Sequence, residues 1–209
     1  MMAKRTAIVA LALALAGCAG GLLPPPPPPA DLYRLSSAET VPASGPPIAA
    51  QILIGRFSAP GAIDTVRIAL SPSPTRLEYF AKAEWPDRAP VMVQILLLET
   101  LERSGRFSRV AQRSLVLHGD YVVLGALRHF EADYGATAAP QVRVALDLQL
   151  VRTADGMILA ERRFTAAAPA GRNTVAAVVE AFDVATHRAL HDVPAWLAQS
   201  LPHAGAKRP

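Results

Sequence analysis

Val142, Val144, Leu146, Leu148 and Leu150 alternate with Gln141, Arg143, Asp147 and Gln149. A period of two places the apolar set on one face, which predicts a half-buried β-strand. Asp155-Gly156 follows as a hairpin turn, and residues 157–165 predict the returning strand. Residues 121–130 are apolar on both faces, as expected near the middle of a sheet. Nearer the N-terminus, Ile52, Leu53 and Ile54 define a strand over residues 51–57, and Tyr33-Arg34-Leu35 fits a short edge strand. Residues 66–70 alternate, and residues 76–81 fit their hairpin partner across Ser71-Pro72-Ser73-Pro74, which is read as a turn.

Two stretches change period. Over residues 91–103, Val91, Ile95, Leu98 and Leu101 recur at helical spacing, with Glu99, Glu102 and Arg103 outward. Pro90 suits a first helical turn and Gly105 a stop. From Asn173, read as the N-cap, to His191 a second helix carries an inner stripe of Val175, Val178, Val179, Phe182, Thr186, Ala189 and Leu190. The order strands, helix, strands, helix predicts an α+β fold: a largely antiparallel sheet with two helices packed on one face.

The first forty residues follow a different logic. Lys4 and Arg5 precede an apolar run over residues 7–16, too short to span the hydrocarbon core as a helix. A basic start, a short apolar run and then small residues describe an export signal. It ends Leu15-Ala16-Gly17-Cys18, which resembles the bacterial lipobox. Residues 1–17 read as signal peptide, and Cys18 as the lipidated residue, carrying S-diacylglycerol and an N-acyl chain such as palmitate. Ala19 occupies the position where Asp would favour inner-membrane retention, so the expected address is the outer membrane, facing the periplasm. Six prolines, Pro24 to Pro29, then favour polyproline II. Extended, residues 19–30 reach roughly 35–40 Å. A semi-rigid spacer within 18–30 is the preferred reading over a proline-rich ligand. Residues 31–199 form the folded domain, and 200–209 a flexible tail.

Composition narrows the classes. Removing residues 1–17 takes Lys4 and Arg5 and lowers the formal net charge from +4 to +2. No Lys/Arg block with interleaved aromatics exists, which argues against nucleic acid. Cys18 is the single cysteine, so no disulfide can form within the chain.

No phosphate loop, nucleophile elbow or H-E-x-x-H motif is present. Glu180, Asp183, His187 and His191 share one helical face, and two histidines four apart can chelate a metal. A solvated polar face is the preferred reading. Trp85 and Trp196, each near a proline, fit core packing better than a lipid or partner contact. Glu78, Glu84 and Asp87 support no acid–base assignment. No catalytic, cofactor or metal residue is expected, and the chain is not read as an enzyme.

The ordered series of features resembles the ABC-type transport auxiliary lipoprotein family, the PqiC-like lipoproteins of Mce-type lipid transport systems. The lipobox and proline spacer lead to Tyr33-Arg34-Leu35, then Ile52-Leu53-Ile54-Gly55. Trp85 to Pro90 opens the first helix, which runs through Leu97 and Leu101 to Gly105-Arg106-Phe107 and Val110. Gly125 to Glu131, Asp155-Gly156, Ala181-Phe182 and Trp196-Leu197 complete the series. Arg56 and residues 63–70 depart from the pattern. The resemblance implies a non-catalytic accessory without cofactor, partnered by an Mce-domain periplasmic substrate-binding protein and its inner-membrane permease and ATPase. Phospholipid is a further ligand to consider. Two alternatives stay open: a lipoprotein that activates a peptidoglycan synthase, and a stand-alone periplasmic lipid binder.

Overall fold

The computed structural model describes residues 29–37, 45–114, 118–135 and 139–202. Eight strands share one sheet: β1 (Asp31–Leu32), β2 (Ile48–Ser58), β3 (Arg67–Ser73), β4 (Arg76–Glu84), β5 (Phe107–Gln112), β6 (Tyr121–Asp133), β7 (Gln141–Arg152) and β8 (Ile158–Pro169). Three helices accompany them among the described residues: α1 (Ala89–Arg103), α2 (Val175–His191) and α3 (Val193–Ser200).

The long strand β6 organises the sheet. On one side it pairs antiparallel with β7, which pairs antiparallel with β8 at the free edge. On the other side two strands lie one after another, both parallel to β6. The first is β2, against Tyr121 to Ala126; the second is β3, against Ala132 and Asp133. Strand β5 flanks β2, also in parallel, and β4 and β1 extend outward from β3. Four of the seven pairings are parallel, so the sheet is mixed and mostly parallel, not largely antiparallel as expected. For β2 and β5 the cause is the crossover that includes α1: the chain returns along the helix, and β5 comes back in the same direction as β2.

Helices α1 and α2 cover one face, and a continuous core fills the space between. The expected alternation in β7 holds, with Val142, Val144, Leu146, Leu148 and Leu150 buried. At the centre Trp85 sits 5.3 Å edge-on from Phe182 and 5.8 Å from Phe130. Trp196 stacks edge-on over Phe164 at 5.4 Å. Both tryptophans are core residues. Buried Thr100 and Thr186 satisfy their hydroxyls on the carbonyls of Leu96 and Phe182, each at 2.7 Å.

Several local expectations shift. The buried side of α1 is Met92, Val93, Leu96, Leu97, Thr100 and Leu101, while Ile95 is 43% exposed. Nine of its first ten residues are apolar, Gln94 being the exception, so spacing alone chose the wrong stripe. Buried Gln94 accepts a hydrogen bond from Phe57 N at 3.2 Å, where the β2 register against β6 shifts. Pro72 lies within β3 at an irregularity of its ladder with β4, where its missing N–H is tolerated. Thr174, not Asn173, caps α2, accepting from Ala177 N; Asn173 instead accepts from the Tyr134 hydroxyl at 2.8 Å. The edge strand lies at Asp31–Leu32, just before Tyr33-Arg34-Leu35.

Candidate functional site

Residues 31–36, which lead into the domain, are held at several points. Asp31 and Leu32 pair with the end of β4, Tyr33 N donates to Glu84 O at 2.9 Å, and Tyr33 and Leu35 pack on the core. Ser36 then reaches the polar face of α2. Its N–H donates to Asp183 Oδ1 at 2.7 Å and its hydroxyl to Asp183 Oδ2 at 2.8 Å. His187 Nε2 lies 3.0 Å from the same hydroxyl oxygen. The helical spacing of Asp183 and His187 therefore builds a clamp on the lead-in segment, and this part of the face is not simply solvated.

That clamp differs from a nucleophilic triad. Asp183 and Ser36 approach the same imidazole nitrogen, Nε2, at 3.5 and 3.0 Å, whereas a triad needs them on opposite nitrogens. Glu180 is exposed on the same helix, and His191 turns to Asp192 at 2.8 Å. Among the described residues no group of three His, Cys, Asp or Glu side chains converges as a metal site. Glu78 pairs with Arg76, and Asp87 accepts from Arg88 N, so these carboxylates have separate partners.

A groove of about 830 Å³ opens at one end of the sheet. The starts of β2 and β6, the β7–β8 turn and the end of α3 enclose it. Ile48, Ala198, Leu201 and Pro202 supply apolar lining; Arg106, Arg152 and Tyr121 supply polar lining. Arg106 follows Gly105, whose φ of +60° ends α1 in a conformation suited to glycine. Arg152 closes β7 just before the Asp155-Gly156 turn. Neither arginine stands out in the sequence, because nothing local says that the ends of β2, β6 and β7 meet there.

The face of the sheet opposite the helices is polar. Asp147 on β7 binds Arg163 of β8 at 2.6 Å and Arg128 of β6 at 2.8 Å. The Arg163 hydrogen bond, reinforced by Arg128, holds the Asp147 carboxyl down at about 2. Arg56 lines a second hollow of about 700 Å³ on this face. Glu131 of β6 is buried, accepts from Phe130 N at 2.8 Å and lies 3.2 Å from Arg143.

Cys18 and most of the proline run lie outside the described residues. Among the described residues no helix is long and apolar enough to cross a membrane. The class defined by these features is a clamped α+β domain, its mixed sheet backed on one face by helices. The chain belongs to the ABC-type transport auxiliary lipoprotein component family, whose model matches residues 33–193.

Solved structures agree. Protein XCC0632 from Xanthomonas campestris, assigned to DUF330, is 28% identical, with a TM-score of 0.77 over 82% of this chain and 96% of that one. An uncharacterized protein at 11% identity has a TM-score of 0.64 over 81% of this chain and 99% of that one, a likeness of fold alone. Lipoprotein GNA1162 from Neisseria meningitidis is 13% identical with a TM-score of 0.38, covering 72% of this chain and 96% of that one, too remote to carry an argument. No curated protein sequence matches the chain.

Proposed function

We propose that this protein is an outer-membrane lipoprotein, anchored through Cys18 and facing the periplasm, that serves an Mce-type ABC lipid transport system as a non-catalytic docking or receiving component. The observation that carries this reading is the family match, which spans the folded domain from Tyr33 to Val193. The lipobox and the proline run support it from the other end of the chain. Each buried acyl methylene contributes about 0.8 kcal/mol, so two or three chains on one cysteine hold the protein firmly. Confinement to one membrane raises the effective concentration of the domain near its partner, and moderate intrinsic affinity then suffices. The clamp at Ser36 fixes where the tether meets the domain, so the spacer ends on a rigid body.

The test is a null strain assayed for envelope permeability and for peptidoglycan synthesis. The expected result is a leaky envelope with normal peptidoglycan synthesis, restored by the wild-type protein. A peptidoglycan defect with an intact permeability barrier would overturn the reading in favour of a synthase activator.

A further inference from the structure

The groove at the end of the sheet has two walls of different chemistry. Ile48, Ala198, Leu201 and Pro202 form an apolar wall, and Arg106 and Arg152 line the same cavity, the Arg106 guanidinium lying beside Gly45 at its edge. Its volume, about 830 Å³, falls within the range of small-ligand sites.

The charges are unevenly committed. Two carboxylates lie nearby, and both are occupied with backbone. Asp120 Oδ2 accepts from Gln51 N at 2.8 Å. Asp155 Oδ1 accepts from Met157 N at 3.1 Å and stands 3.4 Å from Arg152 Nε, at the long end of an ion pair. Arg106 has no carboxylate partner among the described residues. Its Nη1 is buried with no hydrogen-bond partner among the described residues, whereas Arg152 is already engaged through Nε with Asp155 and through Nη2 with Met157 Sδ at 3.8 Å. A buried donor left unpaired, as Arg106 Nη1 is, is costly and uncommon. Guanidinium groups suit phosphate oxygens, which can accept two parallel bonds.

Beside the groove, at the β7–β8 turn, Met157 and Ile158 are each half exposed. Few large apolar side chains in the described residues are as open as these. Met157 Sδ accepts from Arg152 Nη2 at 3.8 Å, so Ile158 is the freer of the two as a landing for hydrocarbon that a small polar anion would not need.

We propose that the groove between Arg106 and Arg152 binds one anionic phospholipid, its phosphate on the guanidinium groups and its glycerol-ester region against Ile48, Ala198 and Leu201. The groove itself calls for an amphiphilic phosphate; the choice of phospholipid rests on the lipid-transport reading. Bound there, a lipid would lie at the starts of β2 and β6. The tether joins the sheet elsewhere, beyond β3 and β4, which flank the other end of β6.

The intact lipoprotein, purified in a non-ionic detergent and analysed by native mass spectrometry, tests this directly. Phosphatidylglycerol, phosphatidylcholine and glycerol 3-phosphate serve as separate probes. Wild-type protein should retain one phosphatidylglycerol, with at least fivefold weaker retention of phosphatidylcholine and none of glycerol 3-phosphate at equal concentration. The Arg106→Gln/Arg152→Gln double variant should bind phosphatidylglycerol at least tenfold more weakly. Ala198→Trp, which fills the apolar wall and leaves both arginines, should do the same. Thermal melting of each variant checks its fold. Glycerol 3-phosphate retained as well as phosphatidylglycerol would overturn the lipid assignment in favour of a free phosphate. Equal lipid retention by wild type and folded variants, or none by wild type, would overturn the site. Either failure leaves docking to an Mce-domain partner standing, because that is measured by co-purification.

Discussion

Ser36 and Asp183, 147 positions apart in the chain, are joined by two hydrogen bonds: the Ser36 N–H and hydroxyl each take one oxygen of the same carboxylate, at 2.7 and 2.8 Å. Both donors being used on one charged acceptor makes this a short, directional attachment. It locks Ser36 of the lead-in segment onto the middle of α2.

Asp183→Ala should therefore release Ser36 and Ser37 while Tyr33, Leu35 and the sheet stay in place. The group is only partly shielded, so the expected cost is about 1 kcal/mol in global stability. Hydrogen exchange at Ser36 N should rise by at least an order of magnitude, with amides in β6 and β7 unchanged. Unchanged protection at Ser36 would show that the clamp is unimportant.

Gly125 pairs with Phe57 across the β2–β6 ladder, and a Cβ at Gly125 would overlap the Phe57 ring. Gly125→Ala should lower stability by about 1–3 kcal/mol, the usual cost of overpacking. Adding Phe57→Leu should recover part of that loss. Urea denaturation of the single and double variants measures it.

Asp147 supplies the pH dependence. Its carboxyl is held at about 2, below the ordinary 3.8, by the Arg163 hydrogen bond with help from Arg128. A depressed acid stabilises the fold above the unfolded pKa and loses that contribution as pH falls through the folded one. Wild type should lose stability between pH 4 and pH 2, and Asp147→Asn should lose less there. The site is open to solvent, so the difference at pH 7 should not exceed about 1 kcal/mol. Parallel denaturation curves at pH 7, 4 and 2 decide it.

Long periodic stretches were legible in the sequence, and the order of elements followed from them. The β7 alternation, the Asp155-Gly156 hairpin and the inner stripe of α2 are set by local burial, which leaves a local pattern. Strand β5 was missed because its six residues, Phe107–Gln112, do not alternate. Helix α3 was missed because Pro194 follows α2 so closely, yet proline fits a first helical turn. Parallel pairing of β2 with β6 depends on contacts between distant segments, which no local pattern records. For the same reason Cys18 could be singled out from its neighbours alone, whereas the meeting of Arg106 and Arg152 could not.

Anchoring has its own test. Cys18→Ser removes the thiol that accepts diacylglycerol, so the variant should accumulate as precursor and incorporate no labelled fatty acid. Wild type should sediment with outer-membrane markers on a density gradient, and Ala19→Asp should shift it inward. Normal processing of Cys18→Ser would refute lipidation, and wild-type protein confined to the inner membrane would refute the address.

The most direct test of the central claim is co-purification. The intact lipoprotein is crosslinked in whole envelopes, recovered under denaturing conditions, and its partners identified by mass spectrometry. The Mce-domain protein of the same organism should be recovered, held through an interface on the order of 1,000–1,600 Å². Replacing Pro24 to Pro29 by a Gly/Ser run of equal length should preserve the crosslink, and deleting the linker should abolish it. Recovery of a peptidoglycan synthase with no Mce-domain protein would contradict the account.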